Sequence, residues 1–157
     1  MREAIGQTLI VNLIVIFVIV FIVLFAGSVN YTKAYKVKNR IISIIEENEG
    51  YTPTAQKQIN NFLGETGYRV STKGCSKNDY HYQKQAYAMN GGQNTWQAVS
   101  TGGNYKYCVE KITTKTGEVE QTFYGVTAYM YFELPLISSL LELPVYGETK
   151  TMGILGS

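Results

Sequence analysis

The sequence predicts an α+β fold. One long N-terminal helix, first apolar on all sides and then amphipathic, and a second short helix pack on an antiparallel sheet of four or five strands. Three observations predict it. Residues 9–27 read LIVNLIVIFVIVFIVLFAG, with one amide and no charge. Beyond them Ala34, Val37, Ile41, Ile44 and Ile45 recur at spacings of three and four, the stripe of an amphipathic helix. From Tyr68 onward the period changes to two, with turn signals between the runs.

The apolar run comes first. As a helix it rises about 28 Å, close to the ~30 Å hydrocarbon core of a bilayer. A helix apolar on every face is a membrane span or the centre of a large protein. With 157 residues the chain has no large protein to bury it. Leu9, Phe17, Phe21 and Phe25 are therefore read as span residues. Asn12 is the one polar group in the span: either a hydrogen-bonding contact between helices or a single tolerated amide. A cleaved signal peptide is the alternative, and Ala26-Gly27-Ser28 offers small residues for a cut. The apolar stretch of a signal peptide is normally shorter than this run, however. The domain organisation is thus a short N-terminal segment (1–8), a transmembrane helix (9–27), its amphipathic extension (28–50) and a soluble α+β domain (51–157).

No proline interrupts residues 1–52, and Gly50 is the expected helix stop. Thr52-Pro53 reads as an N-cap followed by proline at the first helical position. Ala55, Ile59, Phe62 and Leu63 form the apolar face of this second helix, which Gly64 and Gly67 end. Alternation then predicts strands over 68–73, around Trp96 to Ser100, over 105–114, over 119–133 and from Val145 to Met152. Residues 80–89 are ambiguous, with Tyr80, Tyr82 and Tyr87 fitting a strand better than a helix. Thr101-Gly102-Gly103-Asn104 and Lys115-Thr116-Gly117-Glu118 are turn signals. Residues 134–144 form a hydrophobic insert bracketed by Pro135 and Pro144.

Searching for chemistry excludes more than it finds. The net charge of +2 is too small for a nucleic-acid partner, and no basic patch interleaves with aromatics on the soluble part. The one histidine, His81, lies six residues from Cys75, without the flanking pattern of a thiol enzyme. One histidine and two cysteines without a C-x-x-C do not supply a zinc site. No phosphate-binding glycine loop or calcium loop is present. No catalytic residue, metal, cofactor or small-molecule substrate is predicted. Thirteen tyrosines read as sheet surface or as an adhesive face.

Orientation is contested within the sequence. Lys33, Lys36, Lys38 and Arg40 follow the span, against Arg2 and the amine before it, and the positive-inside rule then puts the soluble domain in the cytoplasm. As a group these basic residues also suit anionic headgroups. Cys75 and Cys108 argue the other way, because two cysteines in a small domain fit one disulfide in an oxidising compartment. Two unrelated buried thiols are the alternative.

The C-terminal third carries a resemblance. Residues 124–152, YGVTAYMYFELPLISSLLELPVYGETKTM, hold Tyr131-Phe132-Glu133, the loop Leu134-Pro135-Leu136, and Val145-Tyr146-Gly147-Glu148-Thr149-Lys150. With the N-terminal helix this resembles the TadE-like family of minor pilins and pilus-assembly proteins. The resemblance implies an extracytoplasmic domain on a single-pass anchor in the cell membrane, which favours the disulfide over the charge count. It implies other pilin-like subunits or assembly proteins as partners, in a Tad-type pilus or related secretion apparatus. One departure stands: cleavage after Gly6 would put Val11 where such proteins carry a glutamate, and Glu3 precedes any such site. A membrane-tethered binding or adhesin module, with the tyrosines and Trp96 as its ligand face, is the competing reading.

Overall fold

The computed structural model describes residues 2–71, 73–82, 93–99, 103–116, 119–132 and 141–154. It has the α+β architecture that the sequence predicts. Helix α1 runs unbroken from Arg2–Glu47, and α2 spans Pro53–Glu65. The strands are β1 (Gln93–Ala98), β2 (Tyr107–Thr116), β3 (Val119–Phe132), β4 (Leu141–Glu148) and β5 (Met152–Ile154). They form one antiparallel sheet in the order β1-β2-β3-β4, with β5 also paired to β3.

Helix α1 is a long rod, far longer than a bilayer core alone requires. Its end is a Schellman motif: Gly50 N–H donates to Ile45 O and Glu49 N–H to Glu46 O. The left-handed position falls on Glu49, at φ 52°, one residue before the expected glycine stop. Thr52 Oγ1 then caps α2 by accepting Ala55 N–H at 3.1 Å, and Pro53 opens the helix. A second Schellman motif closes α2. Gly67 takes its left-handed position, at φ 63°. Tyr68 N–H donates to Leu63 O.

The amphipathic half of α1 and the apolar face of α2 pack on one face of the sheet. Val37, Ile41, Ile44 and Ile45 meet Ala55, Ile59 and Leu63 of α2 and Tyr107, Val109, Val126 and Ala128 of β2 and β3. All of these are buried, and Ala34 extends the buried stripe toward the N-terminus. The opposite face is not left to solvent. The segment around the 3-10 turn Lys77–Asp79 crosses it, and Cys75 and Tyr80 pack against Cys108, Trp96 and Tyr129.

Three expectations need correction. Among the described residues of 68–73 there is no strand, only the isolated bridge Val70↔Tyr105. The reason is Tyr68, whose ring enters the core and whose hydroxyl donates to Lys106 O and accepts Tyr129 N–H, in place of another rung between β2 and β3. Tyr80 is outside any strand and His81 and Tyr82 are helical, while Tyr87 lies outside the described residues. The single last strand from Val145 to Met152 is two. β4 begins at Leu141 and takes in Pro144, which an edge strand accommodates because no ladder donor is required there. Between Glu148 and Met152 three residues oppose the pair Phe123 and Tyr124, which is a bulge. Thr149 holds it by accepting Tyr124 N–H on its hydroxyl, and Lys150 N–H donates to Glu46 on α1.

Candidate functional site

The first half of α1 is long and apolar enough to cross a membrane, and none of its apolar window is buried against the domain. Leu9, Phe17, Phe21 and Phe25 are exposed on it, and so is Asn12. The same helix, without a break, supplies the buried stripe Ala34, Val37, Ile41, Ile44 and Ile45. Apolar surface on this scale in contact with water is strongly unfavourable, at roughly 25 cal/mol per Å². An exposed apolar surface of this size marks a membrane or protein interaction site.

The four basic residues after the run do not act as one cluster. Lys38 is only 8% exposed, its Nζ 4.3 Å from the centre of the Tyr35 ring. Its aliphatic chain runs over Gly147 of β4, where a Cβ would come within 2.8 Å of Lys38 Cδ. A side chain at 147 would displace the flexible end of Lys38. Arg40 pairs with Glu47 at 3.1 Å along the helix. Lys33 and Lys36 remain on the surface.

Cys75 and Cys108 form a disulfide, with Cα atoms 5.8 Å apart. Both sulfurs are committed to that bond, so neither is a thiol partner for His81. The disulfide pins the crossing segment to β2. Beside it lies Glu110, 1% exposed, whose carboxylate accepts Trp96 Nε1–H at 2.6 Å and the backbone N–H groups of His81 and Tyr82 at 3.1–3.3 Å. A carboxylate facing the first N–H groups of a helical segment is favoured by their partial positive charge. Gly125 makes room for it: a Cβ there would lie 2.8 Å from Glu110 Cγ and 2.7 Å from Tyr146 Oη.

Aromatic rings tile the rest of this face. Tyr80 meets Trp96 edge-on at 5.5 Å, His81 stacks on Tyr146 at 4.3 Å, and Tyr82 meets Phe123 at 5.5 Å. Glu148 accepts the hydroxyls of Tyr82 and Tyr146, both at 3.1 Å. Lys106 Nζ lies 4.2 Å above the Tyr129 ring and pairs with Glu142 at 2.9 Å. Burial raises the pKa of Tyr68, Tyr107, Tyr129 and Tyr146 far above the ordinary phenol value. Burial opposes the charge on Asp79, but Ser76 N–H, the hydroxyls of Tyr129 and Ser76, and Lys106 together hold its carboxyl below the usual range.

The structure therefore brings Cys75 and Cys108 together, buries the predicted packing stripe, and places Gly147 against Lys38 and Glu148 against the hydroxyls of Tyr82 and Tyr146 on β4. Leu134, Pro135 and Leu136 lie outside the described residues. Trp96 and several tyrosines proposed for a ligand face are instead packed in the covered layer. Glu110 is not singled out by the sequence. Its one legible signal is an acid inside an alternating strand, on the same face as Cys108 and Ile112. Among the described residues no three His, Cys, Asp or Glu side chains converge on a common point. No family model, curated protein or solved structure matches the chain.

Proposed function

We propose that this protein is a membrane-anchored, pilin-like subunit or assembly factor of a Tad-type pilus or related secretion apparatus, with its α+β domain outside the cytoplasm. The observation that carries the reading is the single unbroken α1, exposed and apolar in its first half and the central core helix of the domain in its second. Such a rod transmits the position of the domain to the membrane-embedded half without a hinge. Neighbouring subunits can pack through that half, with lipid or each other covering the apolar surface. The likeness of residues 124–152 to TadE-like proteins supplies the specific apparatus.

One feature supports the outward orientation. A disulfide persists in oxidising compartments and is rare in the cytoplasm. It weighs against the positive-inside count, to which Lys33, Lys36, Lys38 and Arg40 all contribute. The test is deletion of the gene in its native host, with surface filaments counted by electron microscopy. The expected result is loss or shortening of filaments, restored by the intact chain. Filaments unchanged in number and length refute the assignment.

A further inference from the structure

A cleft of about 530 Å³ opens where α1 leaves the apolar run. Asn30, Lys33 and Ala34 of α1 form one wall, and Arg69, Met130 and Tyr131 line the other side. Its place along the molecule follows from the register. Higher on α1, Lys38 lies against Gly147, which pairs with Val126, and Ala34 faces the cleft with Met130. Helix and strand thus run in opposite directions, and the C-terminal end of β3 descends toward the apolar half of α1.

The depth brings the cleft to the outer edge of a bilayer headgroup layer, within reach of a lysine side chain. Asn30 and Lys33 stand three and six residues past Gly27, about 4.5 and 9 Å along the axis. Headgroups occupy roughly 5–7 Å beyond each side of the ~30 Å hydrocarbon core. On the adjoining surface Tyr31 and Tyr35 are exposed, their rings stacked at 6.4 Å. Exposed tyrosines are enriched at membrane interfaces.

The chemistry of the cleft suits an anion. Lys33 and Arg69 are its charged walls, and Arg69 lies 5.6 Å from the Tyr131 ring centre. Tyr131 Oη is buried against the Tyr68 hydroxyl, in a contact short of a well-aligned hydrogen bond. Its neighbour Tyr68 Oη already donates to Lys106 O and accepts Tyr129 N–H. A buried hydroxyl so weakly paired gains from a charged acceptor such as a phosphate oxygen. Glu142, the carboxylate opposite Tyr131 across the strands, is neutralised by Lys106.

We propose that this cleft binds one phosphate group, between Lys33 and Arg69 with the Tyr131 hydroxyl and the Asn30 amide as further contacts, and that a phospholipid headgroup is its source. The inference rests on the membrane anchoring proposed above. It adds a defined headgroup site that fixes the rotation and depth of the domain over the bilayer.

The experiment uses the full chain in maltoside micelles, which carry no phosphate. Dihexanoyl phosphatidylglycerol, inorganic phosphate and dihexanoylglycerol are titrated separately. The readouts are the Arg69 Nε–Hε resonance and the ring carbons of labelled Tyr131. Saturable shifts with the phospholipid, at least tenfold tighter than with inorganic phosphate and absent with dihexanoylglycerol, are expected. Lys33→Gln and Arg69→Gln should each weaken binding about fivefold, the effect of one basic side chain near an anionic headgroup. Tyr131→Phe should weaken it with the fold retained. Equal affinity for inorganic phosphate overturns the lipid assignment. No saturable shift, or the same shift with dihexanoylglycerol, overturns the site. Flotation of the same protein with phosphatidylcholine vesicles reads the anchor separately: a chain that floats but shows no shift refutes the cleft alone, and one that does not float refutes the anchoring.

Discussion

Glu110→Gln tests the covered face of the sheet at its centre. The carboxylate accepts three N–H groups, from Trp96, His81 and Tyr82. A glutamine of the same shape has one oxygen and one NH2 group, so in either rotamer an N–H donor faces another donor. One buried donor left unpaired costs about 1–3 kcal/mol. The remaining bonds lose their charge assistance, which roughly halves them. Together these remove about 3 kcal/mol. With a urea slope of about 2 kcal/mol/M, the unfolding midpoint falls by roughly 1.5 M. Trp96 is the only tryptophan, so its fluorescence reports this site without further labelling. Glu120→Gln is the control, because Glu120 lies on the exposed part of β3. Its stability should stay within about 0.5 kcal/mol of the parent. A Glu110→Gln variant as stable as that control would refute the claim that the buried carboxylate organises the segment crossing the sheet.

Other consequences follow from the same geometry. Gly125→Ala drives a Cβ into Tyr146 Oη and Glu110, both already held by hydrogen bonds. That overpacking should cost about 1–3 kcal/mol in the same urea titration. Replacing Cys75 and Cys108 together by serine removes a cross-link between positions with a sequence separation of 33. The loss should be about 4 kcal/mol by the chain-entropy relation, again read from the urea midpoint. Tyr68, Tyr107, Tyr129 and Tyr146 have raised folded pKa values. The stability they contribute is therefore fully present below about pH 10 and lost as pH climbs above it. Tyrosinate absorbance should rise for these four only as the far-ultraviolet dichroism is lost. Asp79 has the opposite sign, its folded pKa being lowered. Its contribution stabilises the fold above about pH 4 and disappears as pH falls further. Asp79→Asn should flatten this acid limb of the stability profile.

The helices are legible because their signals are local. The apolar run, the three-and-four stripe, the Thr52 cap and the Gly67 stop each lie within a few residues of the structure they specify. The hairpins β1–β2 and β2–β3 are legible for the same reason. What escapes depends on distant partners. Tyr68 reads as an alternating strand residue, yet its hydroxyl serves Lys106 and Tyr129, dozens of positions away. The bulge at Thr149 depends on Tyr124 and Glu46. Pro144 reads as the end of an insert until it is known to lie on an edge strand. Of the site, the apolar run, the packing stripe and the cysteine pair are visible. The role of Glu110 is not, because nothing in the sequence says that residues 75–82 cross the second face of the sheet.

The most direct test of the central claim, an anchored helix carrying its domain outside the cytoplasm, is the redox state of Cys75 and Cys108 in membranes of the native host. Thiols are labelled in intact membranes under trapping conditions, before and after reduction. The account predicts that both cysteines are blocked until reductant is added. Free labelling of both without reductant would put the domain in the cytoplasm, uphold the basic residues after the span as the true orientation signal, and contradict the pilin-like assignment.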